Sequence, residues 1–489
     1  MRTRAVLAIL FLFSNLTSAL AQGLGTLAQP GANTTSGATT DVPRIDIPQT
    51  QQPSLDNFNG SGIVDKLVPG AVRISLLDAL DRGIKHNLGL LLSQEQTETA
   101  RAQHLRSLAL LLPDVSGRTS ENVQRINLAA FGIPVSANSP TLVGPFSVFD
   151  ARATVRQSLL DFNALNRLRS AAESERAARL SLQDARELVV LVVGNEYLLT
   201  LADAARYDTA KAQLTTAETI LHRTQDMKAS GMVAGLDVLR AQVQMQAQQQ
   251  RVLAAENQLL RQRMVLARTI GLPVSQQFEL TDTVPVSPTP PLDLDTELAL
   301  AYERRPEYLA AQSRVRASEL TLKAARGERL PSLEINGDYG VIGRAPGDAK
   351  QTYSLAGGVR IPIFQGGRTR ADIAQAQADL RQRKFQLADL RSRVEFEVRT
   401  AWLDVTTSGQ QVEVARQSVD LAGQQLTQTQ DRFTAGVSGT LDVVQAQEAV
   451  ATANETYIQA LYQNNVAKLT LARALGVAEQ RTRAFLGGK

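Results

Sequence analysis

Two aspartates occupy matching positions in this chain of 489 residues. Asp237 and Asp442 lie 205 residues apart, and each follows a glycine-containing turn by about two residues, at the start of a predicted helix. A carboxylate in the first turn compensates the positive end of the helix dipole, which is favourable by roughly 0.3–1 kcal/mol. On residue types alone, this structural role is the first interpretation of the pair.

No other residues are spaced for catalysis or metal binding. Cysteine is absent, which excludes disulfides, thiolate metal sites and a cysteine nucleophile. His86, His104 and His222 are far apart in sequence and are interpreted as solvated helix residues. Without a nucleophile–base pair, a metal cluster or a phosphate-binding loop, we predict neither an enzyme nor a bound cofactor.

The composition restricts the class of protein further. The net charge is only +4, with acids and bases interspersed, and aromatic residues make up 4% of the chain. Because there is no basic stripe with interleaved aromatic residues, we predict no nucleic-acid partner. The few aromatic residues favour long helices packed by Ala, Leu and Val over a compact enzyme.

The first residues predict export from the cytoplasm. Arg2 and Arg4, the apolar run Ala5–Phe13 and the small-residue site Ala19–Ala21 fit a signal peptide over residues 1–21. The run is too short to span a bilayer, which needs about 20 residues. The best later apolar segment, Leu188–Val193, is soon interrupted by polar residues, so we expect no transmembrane helix.

Residues 22–67 are rich in Gly, Thr, Ser, Pro, Gln and Asn and are predicted to form an extended or disordered leader. After the leader, the chain repeats itself, with a first repeat over residues 68–280, a second over 281–480 and a tail over 481–489. Matching segments recur at a spacing of 205 residues in the carboxyl-terminal part of each repeat, as in Tyr197 with Trp402 and Ile270–Leu272 with Leu475–Val477.

The amino-terminal parts of the repeats match at other spacings. Pro113 and Pro331 are 218 residues apart, whereas Phe162 and Phe364 are 202 apart. The first repeat therefore carries 16 more residues between its Pro and its Phe, which we place in a surface loop around Ala129–Pro145.

Each repeat is predicted to run helix, helix, strand, strand, long helix, long helix. Apolar residues alternate with polar or small ones on both sides of Asp338–Gln351, which is itself a loop by composition. Such strands fit either a membrane barrel or a hairpin on a soluble core. Asn163–Met227 and Arg368–Ala435 contain no proline, and helices of roughly 65 residues would be nearly 100 Å long. Helices of that length must line a tube or form a coiled coil.

Together these features resemble the TolC family of outer-membrane efflux and secretion channels, over about residues 68–480. The resemblance rests on two ordered copies of the same set, namely the hairpin tips with Leu-Asp-Val, the glycines Gly271 and Gly476, and the strand–helix junctions marked by Pro113, Pro331, Pro362, Phe364, Gly366 and Gly367.

The resemblance implies a mainly α fold with β structure, in which long antiparallel helical hairpins form a periplasmic tunnel. Each subunit of a homotrimer would add four strands to a shared twelve-stranded transmembrane β-barrel in the outer-membrane lipid. Four strands alone cannot close, and open edges are not tolerated in lipid. The implied function is a passive exit duct for a tripartite efflux pump or a type I secretion system, with a periplasmic adaptor and an inner-membrane transporter as partners.

The resemblance also gives roles to residues near the periplasmic end. Asp237 and Asp442 match carboxylates in gate links or in an acidic lumen ring, an interpretation that can hold together with helix capping. Phe433 and Ser438 stand where the best-known member has a Tyr and an Arg that lock the entrance. We therefore hypothesise that closure rests on apolar packing around Phe433 and Val437.

The tip turns are predicted to contact the adaptor's helical hairpin, because they are small and apolar for exposed turns. The residues concerned are Gly231, Met232, Val233, Gly235, Leu236, Gly436, Val437, Gly439 and Leu441. The alternative interpretation is that they serve only as helix-capping and turn residues. The alternative function is a periplasmic coiled-coil adaptor, which would carry a β-rich module and one hairpin rather than two duplicated strand pairs.

Overall fold

The computed structural model describes residues 55–131, 141–285 and 293–481. The predicted signal peptide, residues 22–54 of the leader and residues 482–489 of the tail lie outside the described residues. Eight α-helices and six strands occur in the described part, with short 3-10 helices at Leu55–Asn59, Leu128–Phe131 and Pro346–Asp348.

The two halves of the chain contain the same order of helices and paired strands. The first half has β1 (Val72–Ile74), α1 (Leu76–His86), α2 (Leu88–Ala109), β2 (Asp114–Asn127), β3 (Leu142–Leu160), α3 (Phe162–Ala229) and α4 (Gly235–Thr269). The second half has β4 (Phe278–Leu280), α5 (Leu294–Arg304), α6 (Pro306–Gly327), β5 (Ser332–Gly343), β6 (Lys350–Arg360), α7 (Arg368–Thr434) and α8 (Thr440–Ala474). Helices α3 and α7 have 68 and 67 residues, which is about 100 Å each and confirms the predicted long helices.

Four strands form one antiparallel sheet in the order β2-β3-β5-β6. Residues paired directly across neighbouring strands point to the same face, so the register aligns the predicted alternation. Ala153 pairs with Tyr339 and Tyr339 pairs with Tyr353, which places an apolar set on one face of three strands. Strand β2, the most polar of the four, contributes Val115 opposite Val155 to that face.

The 16 additional residues of the first half do not all lie in a loop. Strand β3 has 19 residues against 11 in β6, and Pro145 lies within β3 rather than in the connection. After β2 comes the 3-10 helix Leu128–Phe131, and residues 132–140 of the predicted loop lie outside the described residues. Part of the extra length of the first half therefore extends its strand pair.

The glycine-rich segment Asp338–Gln351 is also more ordered than its composition predicts. Strand β5 continues to Gly343 and β6 begins at Lys350, so only the short stretch between them is a turn. A Cβ at Gly340 would lie 2.3 Å from the Ala151 carbonyl oxygen and 2.4 Å from Arg152 Cβ. The glycine is required by the close approach of β3 and does not mark a loop.

A second, small sheet was missed by the sequence pattern. Strands β1 and β4 pair in parallel from Val72–Phe278 to Ile74–Leu280, and they lie over an apolar core on α3. Tyr197 on α3 is fully buried there, and its hydroxyl donates to Asp282 Oδ2 at 2.8 Å. Three-residue strands are too short for a period-two pattern to identify them.

The end of the predicted leader is partly ordered: residues Leu55–Asn59 form a 3-10 helix, and residues 62–67 follow without helix or strand but with contacts to the core region. Phe58 is buried in the core with α1 and α3, and Asn87 Nδ2 donates to the Phe58 carbonyl at 2.6 Å. The amide of Asp65 donates to Gly271 O at 3.0 Å, and the Asp65 carboxylate pairs with Arg82. A single buried aromatic side chain and a few backbone contacts order this segment despite its polar composition.

Among the described residues, α3 is the one helix that is long and apolar enough to cross a membrane by length and composition. Over half of its most apolar window, 56%, is buried inside the protein. Val189, Val190 and Val193 from this region lie in the core beside β1. The apolar segment is accounted for by packing within the chain.

Candidate functional site

Each long hairpin ends in the same helix-capping turn. At the first tip, the Gly231 amide donates to the Lys228 carbonyl oxygen and the Met232 amide donates to the Met227 carbonyl oxygen. At the second tip, the Gly436 amide donates to the Phe433 carbonyl oxygen and the Val437 amide donates to the Arg432 carbonyl oxygen. Both glycines have left-handed backbone angles, φ 72° and 73°, as this Schellman arrangement requires. The tips are thus two copies of one defined structure.

Asp442 caps helix α8 from inside its first turn. Its Oδ2 atom accepts from Ser438 Oγ at 2.7 Å and from the Gly439 amide at 3.4 Å. The hydroxyl bond from Ser438 and the amide bond from Gly439 both favour the ionised carboxylate, so they lower its pKa below 3.8. Ser438, which was expected to leave the entrance without a polar lock, has a local role in fixing this carboxylate.

This cap predicts a pH dependence of the second tip. Because the pKa of Asp442 is lowered in the folded protein, the cap contributes stability above pH 3.8 that is lost as the pH falls through the lowered value. Replacing Ser438 by Ala removes the main donor and should raise the pKa of Asp442, as measured by carbon NMR of its carboxyl group. Thr434→Ala, which removes a hydroxyl that bonds Gln430 instead, should not. Equal titration curves for Ser438→Ala and the unmodified protein would contradict this assignment.

Asp237 occupies the matching place on α4 but has different partners. Its amide donates to the Ala234 carbonyl at 3.0 Å, and its carboxylate lies 3.6 Å from Arg240 one helical turn on. Arg240 is therefore the charged neighbour of one of the two tip carboxylates. The two aspartates share a position but not a hydrogen-bond pattern.

The structure separates the two residues that we expected to close the entrance together. Phe433 is only 3% exposed and packs inside the chain against Ile220, Met227 and Val443. Val437 is 65% exposed at the end of the turn. Phe433 therefore joins the two hairpins of one chain and does not present its ring to a lumen, whereas Val437 remains available to other molecules.

Apolar side chains remain exposed around both tips. At the first tip, Val233 packs partly against the apolar cluster that contains Phe433. The apolar residues beside Val233 are not covered in this way. The exposed apolar residues of the two tips are Met232, Leu236, Leu239, Val437 and Leu441. Neighbouring apolar side chains exposed on two adjacent turns are the pattern of an interaction surface.

The opposite faces of the four-stranded sheet differ in chemistry. Tyr353 and Leu355 are 81% and 79% exposed on the apolar face. On the other face, Arg152 Nε donates to Asp150 at 2.7 Å and its Nη1 to Asp338 at 3.2 Å. An exposed apolar face backed by an ion-paired face suits strands with lipid on one side and water on the other.

The predicted junction residues lie where strands meet helices. Pro113 and Pro331 stand directly before β2 and β5, and Gly366 and Gly367, with φ 59° and 89°, lead into α7. Phe364 follows Pro362 in this loop and is 87% exposed. In the first half Asp161 replaces the glycine turn, and its carboxylate caps α3 through the amides of Asn163 and Ala164.

Sequence reasoning missed the polar contacts between hairpins. Glu448 on α8 accepts from Gln244 at 2.7 Å and from Arg251 at 2.8 Å, both on α4. His104 was expected to be solvated, but its Nδ1 atom lies 2.6 Å from Glu175 Oε2. His86 is partly buried, and this burial lowers the pKa of its imidazole. No cluster of potential metal ligands occurs in residues 55–131, 141–285 and 293–481.

Comparison with known proteins agrees with this geometry. The family model described as outer membrane efflux protein matches residues 80–272 and 298–477. The chain is 25% identical to outer membrane protein OprJ of Pseudomonas aeruginosa, over 92% of this chain and 90% of OprJ. It is 26% identical to the pyoverdine export outer membrane protein OpmQ of Pseudomonas putida, over 81% of this chain and 84% of OpmQ.

A solved structure shows the same fold. The outer-membrane channel OprN superposes with a TM-score of 0.71 over 82% of this chain and 89% of that chain, at 20% sequence identity. These similarities set aside the alternative of a periplasmic adaptor. The matched family consists of conduits of the outer membrane with no catalytic activity. The protein therefore belongs to the outer membrane efflux protein family, the TolC-like channel-tunnels of the outer membrane.

Proposed function

We propose that the chain is one subunit of a homotrimeric exit duct that an inner-membrane transporter energises through a periplasmic adaptor. The observation that carries the proposal is the sheet with two free edges. Strands β2 and β6 each pair on one side only, while Leu355 and Tyr353 expose an apolar face. Backbone groups at an open edge are not tolerated in lipid, so further copies must close the sheet. Three copies give twelve strands and leave room for a lumen.

The helices have free flanks on corresponding sides. Helix α3 packs against α4, α6 and α8, and α7 packs against α6 and α8. Helix α4 also meets α8 through Glu448 but has no extensive contact with α7, so α4 and α7 lie on opposite flanks. Both flanking helices expose apolar residues along their length, among them Leu253, Leu260 and Met264 on α4 and Phe385, Phe396 and Leu403 on α7. Isolated exposed leucines are ordinary, but rows on both flanks of one molecule indicate contact with further copies.

At the periplasmic end, we propose that Asp442, Ser438 and Val437 line the entrance, with Asp237 on the neighbouring tip. Three copies of Asp442 around one axis would attract cations and oppose the full ionisation of all three carboxylates. The capping bonds of Asp442 are compatible with this arrangement, since an exposed carboxylate can cap its helix and still face water. Phe433 supports these residues from within the chain.

We assign adaptor contact to the paired tips. Their matching Schellman turns place exposed Met232 and Val437 at equivalent points, so one helical hairpin of an adaptor meets similar surfaces on both tips. OpmQ is named for the export of pyoverdine, and export of a small molecule through such an assembly is the type of activity that we propose for this chain.

Oligomer mass and single-channel conductance of the detergent-extracted protein test the proposal. We expect a trimer with a small, cation-selective conductance whose preference for cations falls in Asp442→Ala, because the three carboxylates that attract cations to the entrance are removed. Asp431→Asn, a matched loss of charge just before the same turn, serves as the control. A monomer, or a protein that does not conduct, would refute the duct.

A further inference from the structure

The internal repeat predicts which surfaces meet between copies of the chain. Inside one chain, α3 packs against α8. At the repeat spacing of 205 residues, α7 corresponds to α3 and α4 corresponds to α8. Helices α7 and α4 have no extensive contact with each other within one chain, so this second contact is not made there. It can form between α7 of one copy and α4 of the next.

An ion pair inside the chain shows what this contact would contain. Arg473 Nη2 on α8 donates to Asp184 Oδ1 on α3 at 2.6 Å, and both side chains are largely buried. The residue 205 positions before Arg473 is Arg268, and the residue 205 positions after Asp184 is Asp389. Each charge thus has a counterpart at the matching position of the opposite repeat, Arg268 on α4 and Asp389 on α7. Arg268 and Asp389 are exposed, and no ion pair joins either of them to another described residue.

An apolar contact also has counterparts at the spacing of 205 residues. Leu198 on α3 and Leu469 on α8 bury each other and are 1% and 0% exposed. Their counterparts are Leu403 on α7 and Met264 on α4, which are 57% and 44% exposed. Two apolar side chains that are buried together where α3 meets α8 therefore have counterparts on α7 and α4 that are both uncovered, as expected if the next copy covers them.

One hydrogen bond between α3 and the end of α8 has no counterpart, because both its donor and its acceptor are replaced in the matching positions. Glu187 on α3 accepts a hydrogen bond at 2.5 Å from the Ala478 amide, which follows α8. The corresponding residues are Ser392, which has no carboxylate, and Pro273, which has no amide hydrogen. Loss of the acceptor thus coincides with loss of the donor, and no unmatched partner is left for the contact between copies.

One difference predicts looser packing between copies than within one. A Cβ at Gly194 would lie 2.8 Å from Leu469 Cδ1, so α8 approaches α3 closely at that point. The counterpart of Gly194 on α7 is Arg399, whose guanidinium pairs with Glu395 at 3.0 Å. If α4 of another copy packed here, the arginine stem would hold it farther from the α7 axis, and Met264, which is longer than the leucine it replaces, would reach across the wider gap.

We infer that α7 of one copy docks on α4 of the next through an Asp389–Arg268 ion pair and a Leu403–Met264 contact, which repeat the Asp184–Arg473 and Leu198–Leu469 contacts of each chain. The inference rests on the proposed homotrimer. A head-to-tail contact of this kind uses two different surfaces and closes into a ring when the rotation between copies permits it.

Charge exchange tests the ion pair. Arg268→Glu and Asp389→Arg each place like charges at every contact between copies, and we expect about a tenfold or greater loss of trimer at fixed protein and detergent concentration. The double variant restores opposite charges and should recover the trimer fraction. Arg223→Glu, the same charge change at an exposed position of α3, should have no effect. Single variants that assemble as well as the unmodified protein would overturn the ion pair.

Cross-linking tests the same contact without relying on charge. The natural chain has no cysteine, so Leu403→Cys and Met264→Cys together provide the only thiols. With a short bis-maleimide, the double variant should yield covalent dimers and trimers, while either single variant should not. A trimer by mass that gives no such products would overturn the inference and leave the proposed duct intact. A monomeric unmodified protein would overturn both.

Discussion

Replacing Leu355 by arginine is expected to prevent the protein from entering the outer membrane as a folded channel. Leu355 is 79% exposed on β6 and shares the apolar face of the sheet with Tyr353 and Val359. An arginine on the lipid face of a barrel costs about 2–4 kcal/mol near the bilayer midplane. A homotrimer would carry this penalty three times, which is large beside the marginal stability of most proteins.

The adjacent residue provides the matched control for this prediction. Ser354 lies one position away on the polar face, opposite Asp338, so an arginine there would point toward water. The measurement is the fraction of folded, oligomeric protein recovered from purified outer membranes for Leu355→Arg and Ser354→Arg. Equal recovery of the two variants would show that the exposed face of β6 does not meet lipid.

The sheet illustrates which features local sequence can predict. Alternation of apolar and polar residues identified both strands of the second pair, because side chains in a strand point to opposite faces in turn. The same rule did not find the carboxyl end of β5, because Gly340 resembles a loop residue. Only the nearby Ala151 carbonyl explains why a glycine is needed at this position of the strand. A close approach between distant strands leaves no local signal in the chain.

The long helices and their tips were predicted for a similar reason. Helices α3 and α7 contain no proline, and each is followed by a glycine turn. These are local features of the chain, so the hairpins and both turns could be predicted from sequence. The partners of individual side chains were not. Glu448 meets Arg251 across two helices, and Phe58 reaches a core formed by distant segments. Such contacts depend on which faces of the helices meet.

Phe433 shows how packing changes the interpretation of a single residue. Its position beside the second tip suggested a part in closing the entrance between copies, because a family resemblance assigns roles by position along the chain. Burial of the ring against Ile220 and Met227 assigns it instead to the contact between hairpins of one chain. Its effect on the entrance therefore has to pass through the stability of the tip.

Phe433→Ala is accordingly expected to loosen the tip and raise the conductance of the closed channel. Truncation of a buried phenylalanine costs about 3–5 kcal/mol because apolar contacts are lost and a cavity remains. The cavity would lie among Ile220, Met227 and Val443, where α3 and α8 meet the end of α7. Loss of this packing releases the second tip from the first and allows α7 to move away from α3.

Hydrogen exchange of the tip segments, measured beside single-channel conductance, checks this prediction. Val437→Ala is the control, because Val437 is four residues away on the same turn and is 65% exposed. We expect faster exchange around α7 residues 426–434 and a larger basal conductance in Phe433→Ala, with slower exchange retained in Val437→Ala. Faster exchange without a change in conductance would separate tip stability from closure. In that case the entrance would be closed by the exposed residues alone, with Val437 and Asp442 as the first positions to replace.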